Sequence, residues 1–452
     1  MPSSSRHRLT IAALLIGVGV LAAEPVSFVR DIAPVLRDKC LTCHGAEKAK
    51  GNYRLDSFEL LAQSGSSEEP PITPGAPEKS HLLELLSARD ADDRMPQKDD
   101  ALPGATIALF ERWIREGARF DGPNPKATLV SLAGLLTQPM PPENYAAPVP
   151  ITALALHPNG EELAASGYHE ITIWSTTSGD LLRRVTNVAQ RTMALAYNHD
   201  GSRLAVASGT PGRHGEAKLF DTKTGVMVHT LATTPDPMLA IAFSSDSKRV
   251  ACAGADNAIR VFNTTTGQPE LTIEQHADWV TGVAFSPDAA HVVSASRDKT
   301  ARVFDAATGE LESTYTGHGE PLFAIAFRGD GKHVLSGGRD KKVHVWEPKE
   351  AKKISEITGF DDEVYRIVSG TNGIFVAGGK RVRQYREDAK QESIRAFNGH
   401  RDLVYSVALH EASNELATGS FDGEVRLWRV ADGGLIRSFK AIPGRNVAQL
   451  SR

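Results

Sequence analysis

Residues 280–305 read VTGVAFSPDAAHVVSASRDKTARVFD, in which short apolar runs with the period of a strand are separated by turn residues. Variants of the first run begin at residues 151, 192, 238, 280, 322, 364 and 404, with spacings of 41, 46, 42, 42, 42 and 40. A period of roughly 40 to 45 residues is typical of a four-stranded propeller blade. The sequence therefore predicts a seven-bladed all-β propeller over residues 148–445.

Other residues keep step with this period. An aromatic residue ends the third strand of each of the seven units: Trp174, Phe220, Phe262, Phe304, Trp346, Tyr385 and Trp428. Aspartates favoured in tight turns follow the starts of four units by 18 residues: Asp256, Asp298, Asp340 and Asp422. Glycines then mark the next hairpin: Gly179, Gly225, Gly267 and Gly309.

The repeat resembles the WD-repeat family over about residues 148–441. Units five and seven match its buried polar tetrad best, with His318, Ser336, Asp340 and Trp346 in one and His400, Thr418, Asp422 and Trp428 in the other. Unit four has His276, Ser294 and Asp298 but ends in Phe304, and units one, two and six lack the pattern. We interpret these histidines as hydrogen-bonded blade residues rather than as catalytic groups or ligands.

The N-terminal part contains one motif whose residue types indicate the binding of a cofactor. The segment DKCLTCHG places Cys40, Cys43 and His44 at the spacing CxxCH, the attachment signal for c-type haem. Both cysteine sulfurs can add to the haem vinyl groups, and His44 then supplies the proximal iron ligand. We expect one covalently bound haem c, with iron as the metal.

Two other uses of a CxxC pair are a redox disulfide and half of a zinc site. The chain has no second cysteine pair, and the other histidine of this region is His81. The local pattern is helical, whereas a thioredoxin-like motif requires a βαβ unit. The third cysteine, Cys252, lies in an apolar strand pattern that favours a buried small side chain.

The region from 25 to 122 predicts a small all-α domain. Phe28, Ile32, Val35 and Leu36 form an apolar stripe that leads into the CxxCH motif, and Ser27 is placed to cap this helix. A second amphipathic helix is predicted over residues 106–116, ending before Gly117. The two helices should pack together.

The sixth iron ligand determines the redox role of such a haem. Met95, in the polar loop DDRMPQ, is the one methionine of this domain, and Pro96 stiffens the backbone beside it. A methionine opposite a histidine raises the potential and suits a one-electron carrier. The alternatives are His81 and an open or water-bound iron.

This domain resembles the planctomycete cytochrome c domain family over residues 28–119. The resemblance is carried by FVRDIAPVLRDKCLTCHG, GNYRLDSFELL, PGAPEKSHLLELL, DDRMP and RWIREGA. It implies Met95 as the distal ligand, and it places His81 at a position that the family leaves variable.

The first 23 residues predict a secretory signal peptide. Arg6, His7 and Arg8 precede an apolar run of 15 residues from 9 to 23. That run is shorter than the roughly 20 residues of a membrane-spanning helix, so we expect cleavage and a soluble periplasmic or otherwise exported protein without an integral membrane segment. The alternative is an uncleaved N-terminal anchor. A proline-rich linker is predicted over residues 123–147, with an apolar middle from 128 to 136 that should pack.

Composition and motifs together predict a multidomain protein, with the cytochrome c-like domain followed by the propeller. A net charge of -4 does not indicate a nucleic-acid binder. We expect an electron carrier rather than an enzyme, whose propeller docks it to another protein, with a redox protein as a second partner. The alternatives are a redox enzyme with an active site in the propeller and a haem-based sensor. The last blade is closed either by a strand near Leu435 or by one near Leu129.

Overall fold

The computed structural model describes residues 25–443, apart from residues 91, 98–99, 123, 134–137 and 389–391. The predicted signal peptide lies outside the described residues, as do the last two positions of the predicted propeller. No helix in the described ranges is long and apolar enough to cross a membrane.

The N-terminal region consists of short helices joined by loops. A π-helical turn, Phe28–Ile32, runs into α1, and 3₁₀ turns lie at Lys50–Asn52 and Pro77–Lys79. The α-helices are α1 (Ala33–Lys39), α2 (Leu41–His44), α3 (Phe58–Leu61), α4 (His81–Ser87), α5 (Gly104–Arg115) and α6 (Leu129–Ala133). Between residues 25 and 122, the regular elements of the described chain are all helical. Much of this region is nevertheless loop.

The predicted pairing of the first helix with the amphipathic helix that ends before Gly117 is confirmed. The Ser27 hydroxyl accepts the backbone N–H of Arg30 at 2.9 Å, which caps the first helical turn. Phe28 is fully buried, and its ring lies 5.5 Å from that of Trp113 on α5. α5 ends at Arg115, and Gly117 adopts a positive φ of 101° that few other residues tolerate.

The apolar middle of the predicted linker completes the core of the small domain. Leu129 and Leu132 of α6 are each 1% exposed and belong to the same cluster as Phe28 and Trp113. The backbone N–H of Leu129 donates to the carbonyl of Asp56 at 2.8 Å. The hydrophobic core of this domain therefore extends beyond residue 122.

The described residues from 154 to 440 form a seven-bladed β-propeller. Each blade is an antiparallel sheet of four consecutive strands. The first three blades are β1–β4 (Leu154–Leu156, Glu162–Ser166, Ile171–Ser175, Leu181–Val185), β5–β8 (Arg191–Tyr197, Arg203–Thr210, His214–Asp221, Met227–Thr234) and β9–β12 (Met238–Phe243, Arg249–Gly254, Ile259–Asn263, Pro269–Ile273). The other four are β13–β16 (Val280–Phe285, His291–Ser296, Ala301–Asp305, Leu311–Tyr315), β17–β20 (Leu322–Phe327, Val334–Gly338, Val343–Glu347, Lys352–Ile357), β21–β24 (Val364–Gly370, Gly373–Gly378, Val382–Tyr385, Arg395–Phe397) and β25–β28 (Val404–His410, Glu415–Ser420, Glu424–Arg429, Leu435–Lys440).

The predicted positions of the aromatic residues and of the hairpin glycines in each repeat are confirmed. All seven aromatic residues lie on third strands and are at most 5% exposed: Trp174, Phe220, Phe262, Phe304, Trp346, Tyr385 and Trp428. The four hairpin glycines have positive φ values between 70° and 78°: Gly179, Gly225, Gly267 and Gly309. The first strand of every blade contacts the first strands of both neighbouring blades, so these seven strands surround the central channel.

The ring closes between blades one and seven without exchange of a strand. The strand near Leu435 completes blade seven as β28, whereas Leu129 is helical, so the second closure that the sequence allowed is wrong. The Ser406 hydroxyl donates to the carbonyl of Ile151 at 2.9 Å, and the ring of Trp174 lies 5.1 Å from that of Phe439. Side-chain packing and hydrogen bonds between neighbouring blades therefore join the two ends of the ring.

The polar tetrad is complete in blade five. His318 Nδ1 lies 2.6 Å from Asp340 and its Nε2 lies 2.9 Å from the Ser336 hydroxyl, which also accepts the Trp346 indole N–H at 3.1 Å. His344 stacks on His318, and burial lowers the pKa of His344 to about 4. Blade four keeps the corresponding contacts of His276 with Asp298 at 2.8 Å and with Ser294 at 2.7 Å.

Blade seven departs from the predicted tetrad. His400 Nε2 contacts the Thr418 hydroxyl at 2.7 Å, but the carboxylate that faces its Nδ1 at 3.5 Å belongs to Glu424. Asp422 pairs instead with Lys440 at 3.1 Å. Burial opposes ionisation of Glu424, but His400 and Arg426 outweigh it and lower the pKa of Glu424 to about 2. The assignment of Asp422 to the tetrad is therefore corrected to Glu424.

Candidate functional site

The CxxCH motif lies where the first helix of the small domain ends. Cys40 follows α1, and its carbonyl accepts the backbone N–H groups of both Cys43 and His44 at 3.1 Å. α2 therefore holds the three side chains within one helical turn. Both cysteines are unpaired and partly exposed.

The ring of His44 is held by the segment that follows the motif. Its Nδ1 lies 3.2 Å from the carbonyl oxygen of Tyr53, and its own carbonyl accepts the backbone N–H of Leu55 at 2.9 Å. The Tyr53 hydroxyl donates to Leu61 at 2.9 Å, which fixes that segment in turn. When Nδ1–H donates to this carbonyl, Nε2 keeps its lone pair for a metal, the arrangement that a ligating histidine usually has.

Two adjoining cavities, both partly open to solvent, lie beside the motif, and they differ little in size. His44, Tyr53 and Met95 line both of them, and Cys40 and Cys43 line the larger one. Apolar side chains supply much of the remaining wall: Leu55, Leu82, Leu85 and Leu86. A large planar apolar group with two attachment points for sulfur fits these walls.

The structure brings Met95 to the same space as His44. The backbone N–H of Met95 donates to the carbonyl of Leu85, near the end of α4, at 3.0 Å. The side chain is partly buried and packs against the core of the small domain. His81 lines only the smaller cavity, and its Nδ1 is occupied by Glu69 at 2.9 Å and Glu84 at 3.2 Å.

The electrostatic surroundings of Cys40 differ from those of a reactive redox thiol. Burial, with a smaller contribution from Cys43, raises the pKa of Cys40 to about 12, whereas reactive thiols have lowered values. In the described part of the chain, no cluster of three metal-ligating side chains includes either cysteine. Cys252 is fully buried in β10, and burial raises its pKa to about 12 as well.

The sequence indicated the motif and the methionine but missed the residues that orient them. Tyr53 acts through its backbone carbonyl, which carries no signal in the side-chain pattern. The leucines on α4 have helical spacing, which predicts that they are buried. Such spacing does not distinguish packing against other side chains from packing against a bound group.

These features define a class of protein in which a small, partly helical region with a CxxCH motif precedes a seven-bladed propeller. Residues 40–99 match the model of the family described as Planctomycete cytochrome C. Residues 225–263, 267–305, 309–347 and 391–429 match that of the WD domain, G-beta repeat. The chain thus joins a planctomycete-type cytochrome c segment to WD40 repeats. No curated protein matches the chain significantly.

The four repeat matches correspond to particular blades. Each begins on or beside the last strand of one blade and ends with the third strand of the next, so they cover the first three strands of blades three, four, five and seven. Blades one, two and six, which lack the tetrad pattern, have the same four-stranded order. Strand alternation and packing are therefore sufficient to form a blade without the tetrad.

Proposed function

We propose that this protein is an exported electron carrier with one haem c, held through Cys40 and Cys43, and that its propeller is a docking platform. The proposal rests mainly on one observation, that the CxxCH motif and Met95 line the same apolar cavity. His44 and Met95 would both be ligands of its iron. A haem in this ligand field gains and loses single electrons.

The chain's own residues position and tune such a group. The Tyr53 carbonyl orients His44 and increases the basicity of its Nε2. Leu55, Leu82 and Leu86 exclude water from the cavity wall, which favours a less charged metal centre. Neither task requires a side chain that reacts with a substrate, so we favour a carrier over an enzyme.

The propeller contributes docking in this proposal. Its loops expose large side chains that a partner protein can cover, such as Phe421, which is 49% exposed, and Trp279, which is 38% exposed. Arg297 lies over the Trp279 ring at 4.3 Å. Aromatic and arginine side chains of this kind are enriched at the centres of protein interfaces.

The proposal is tested by a reduced-minus-oxidised absorption spectrum of the purified exported protein, with a pyridine haemochrome count and a near-infrared scan. One c-type haem per chain with the methionine-to-iron band is the expected result. A second haem would favour a redox enzyme. Iron that lacks the band and binds small ligands would favour a sensor, and either result would overturn the carrier assignment.

A further inference from the structure

The central channel of the propeller contains a cavity that is open to solvent on one side. Seven of its lining residues occupy the same repeat position, the second residue of the inner run of each blade: Thr152, Met193, Leu239, Thr281, Phe323, Tyr365 and Tyr405. In blades two to seven the strand pairing shifts register at this residue. Such a bulge redirects the side chain, here toward the channel.

The eighth lining residue, Arg366, breaks the repeat. It is the third residue of the inner run of blade six. The other six blades have a small, buried residue at this position: Ala153, Ala194, Ala240, Gly282, Ala324 and Ser406. The fold of a blade therefore does not require a long side chain here, and Arg366 calls for another explanation.

The guanidinium group of Arg366 lacks a partner of opposite charge. In the described part of the chain, Arg366 takes part in no ion pair and no side-chain hydrogen bond. Burial lowers the pKa of Arg366, since the surrounding protein replaces water around the charge, although arginine stays protonated. Arg366 is half-buried, so its guanidinium group is only partly hydrated, and a bound anion would supply the missing counter-charge.

The wall around Arg366 is aromatic. The rings of Phe323 and Tyr365 are nearly parallel, with centroids 6.1 Å apart, and the ring of Tyr405 lies 4.8 Å from that of Tyr365. The Thr281 hydroxyl donates to the carbonyl of Leu322 at 2.7 Å and is thereby committed to the backbone. The cavity thus offers one charged donor beside flat apolar faces.

Acidic residues near the tyrosines limit the charge of a ligand. Burial raises the pKa of Tyr365, and the carboxylates of Glu363 and Asp362 raise it further. Tyr405 is influenced in the same way by burial and by Asp402. These carboxylates repel a multiply charged anion such as phosphate more strongly than a monoanion.

We propose that the channel binds a small aromatic monocarboxylate, whose carboxylate pairs with Arg366 and whose ring packs against Phe323, Tyr365 and Tyr405. A guanidinium group matches a carboxylate in bidentate geometry, and the aromatic side chains match a flat apolar body. This site lies apart from the cavity beside the CxxCH motif and goes beyond the electron-carrier proposal.

The test is isothermal titration of the full-length, haem-loaded protein with benzoate, its neutral analogue benzamide, and inorganic phosphate. We expect benzoate to bind at one site per chain. Benzamide should bind at least about tenfold more weakly because a charge-assisted hydrogen bond to Arg366 is lost. Phosphate should bind at least about tenfold more weakly because the carboxylates near the tyrosines repel it. Arg366→Ala should weaken benzoate binding by about tenfold or more.

Arg366→Ala is expected to fold because six blades already have a small residue at this position, and its melting temperature checks this. Arg213→Ala, which removes a positive charge from an exposed turn of blade two, is the matched control and should leave benzoate binding unchanged. If Arg366→Ala does not fold, Arg366→Lys, which keeps the charge but loses the fork, should still weaken binding.

Four results would overturn the proposal. These are no heat of benzoate binding, equal affinity for benzamide, phosphate binding as tight as that of benzoate, and unchanged benzoate affinity in folded Arg366→Ala. None of these outcomes depends on haem, so the proposal can fail while the electron-carrier function stands.

Discussion

The two regions of this chain achieve stability in different ways. In the propeller, each inter-blade space is filled by its own hydrophobic cluster. The small domain has one cluster, and the larger of the two cavities beside the CxxCH motif lies along its side. Under the electron-carrier proposal, a bound haem would fill this cavity and add to the stability of the small domain, whereas the blades of the propeller pack against one another.

The largest expected effect follows from preventing the attachment of haem in that cavity. Cys40→Ala combined with Cys43→Ala should abolish haem that resists denaturation and unfold the small domain, while the thermal transition of the propeller stays in place. A ligand present at 1,000 times its Kd already stabilises a fold by about 4 kcal/mol, and a covalently held one does so by more. Calorimetry and hydrogen exchange would follow the two regions separately.

Cys252→Ala is the control for this experiment, because it removes a buried thiol from the propeller and should leave covalent haem at the wild-type level. Covalent haem in the double variant would end the attachment assignment. If the small domain without haem unfolds at the wild-type temperature, then its stability does not depend on a bound group, and the contrast with the propeller is wrong.

A smaller effect is expected from Met95→Ala, which keeps the haem and opens one side of the iron. The midpoint potential should fall by on the order of a hundred millivolts, within the ~0.8 V span over which axial ligands set it. Carbon monoxide should bind the reduced protein, as followed by absorption. His81→Ala should change neither property, and an effect of that variant in place of Met95→Ala would assign the ligand to His81.

The smallest effect concerns differences among the blades. Asp340→Asn should destabilise the propeller by about 1.5 to 3 kcal/mol, because it weakens a charge-assisted hydrogen bond to the buried His318. Asp422→Asn should cost less than about 1 kcal/mol, since Asp422 pairs with the partly exposed Lys440. Denaturant unfolding of both variants gives the comparison, and equal costs would restore Asp422 to the tetrad.

The sequence predicted the propeller well because its signal is repeated. A period near 42 residues, an aromatic residue on each third strand and glycines at hairpins constrain the same register independently. The CxxCH motif was equally readable, since its chemistry requires residues that are adjacent in the chain.

Features that depend on distant contacts were less predictable. The composition of the apolar run around Leu129 is compatible with a helix or a strand. In the structure it is a helix that packs against α1. In blade seven, Glu424 stands where blade five has Lys342, so a second carboxylate reaches the histidine while Lys440 attracts Asp422. Arg366 could have been noticed by aligning the third residue of every inner run.

The closure of the ring has a consequence for how this architecture can be rearranged. Because every blade is one uninterrupted stretch of chain, the boundary between blades seven and one is of the same kind as the other six boundaries. A circularly permuted gene that opens between two other blades should yield the same ring. Whole blades can likewise be duplicated or exchanged as genetic units, without the need to recover a strand from the other end of the chain.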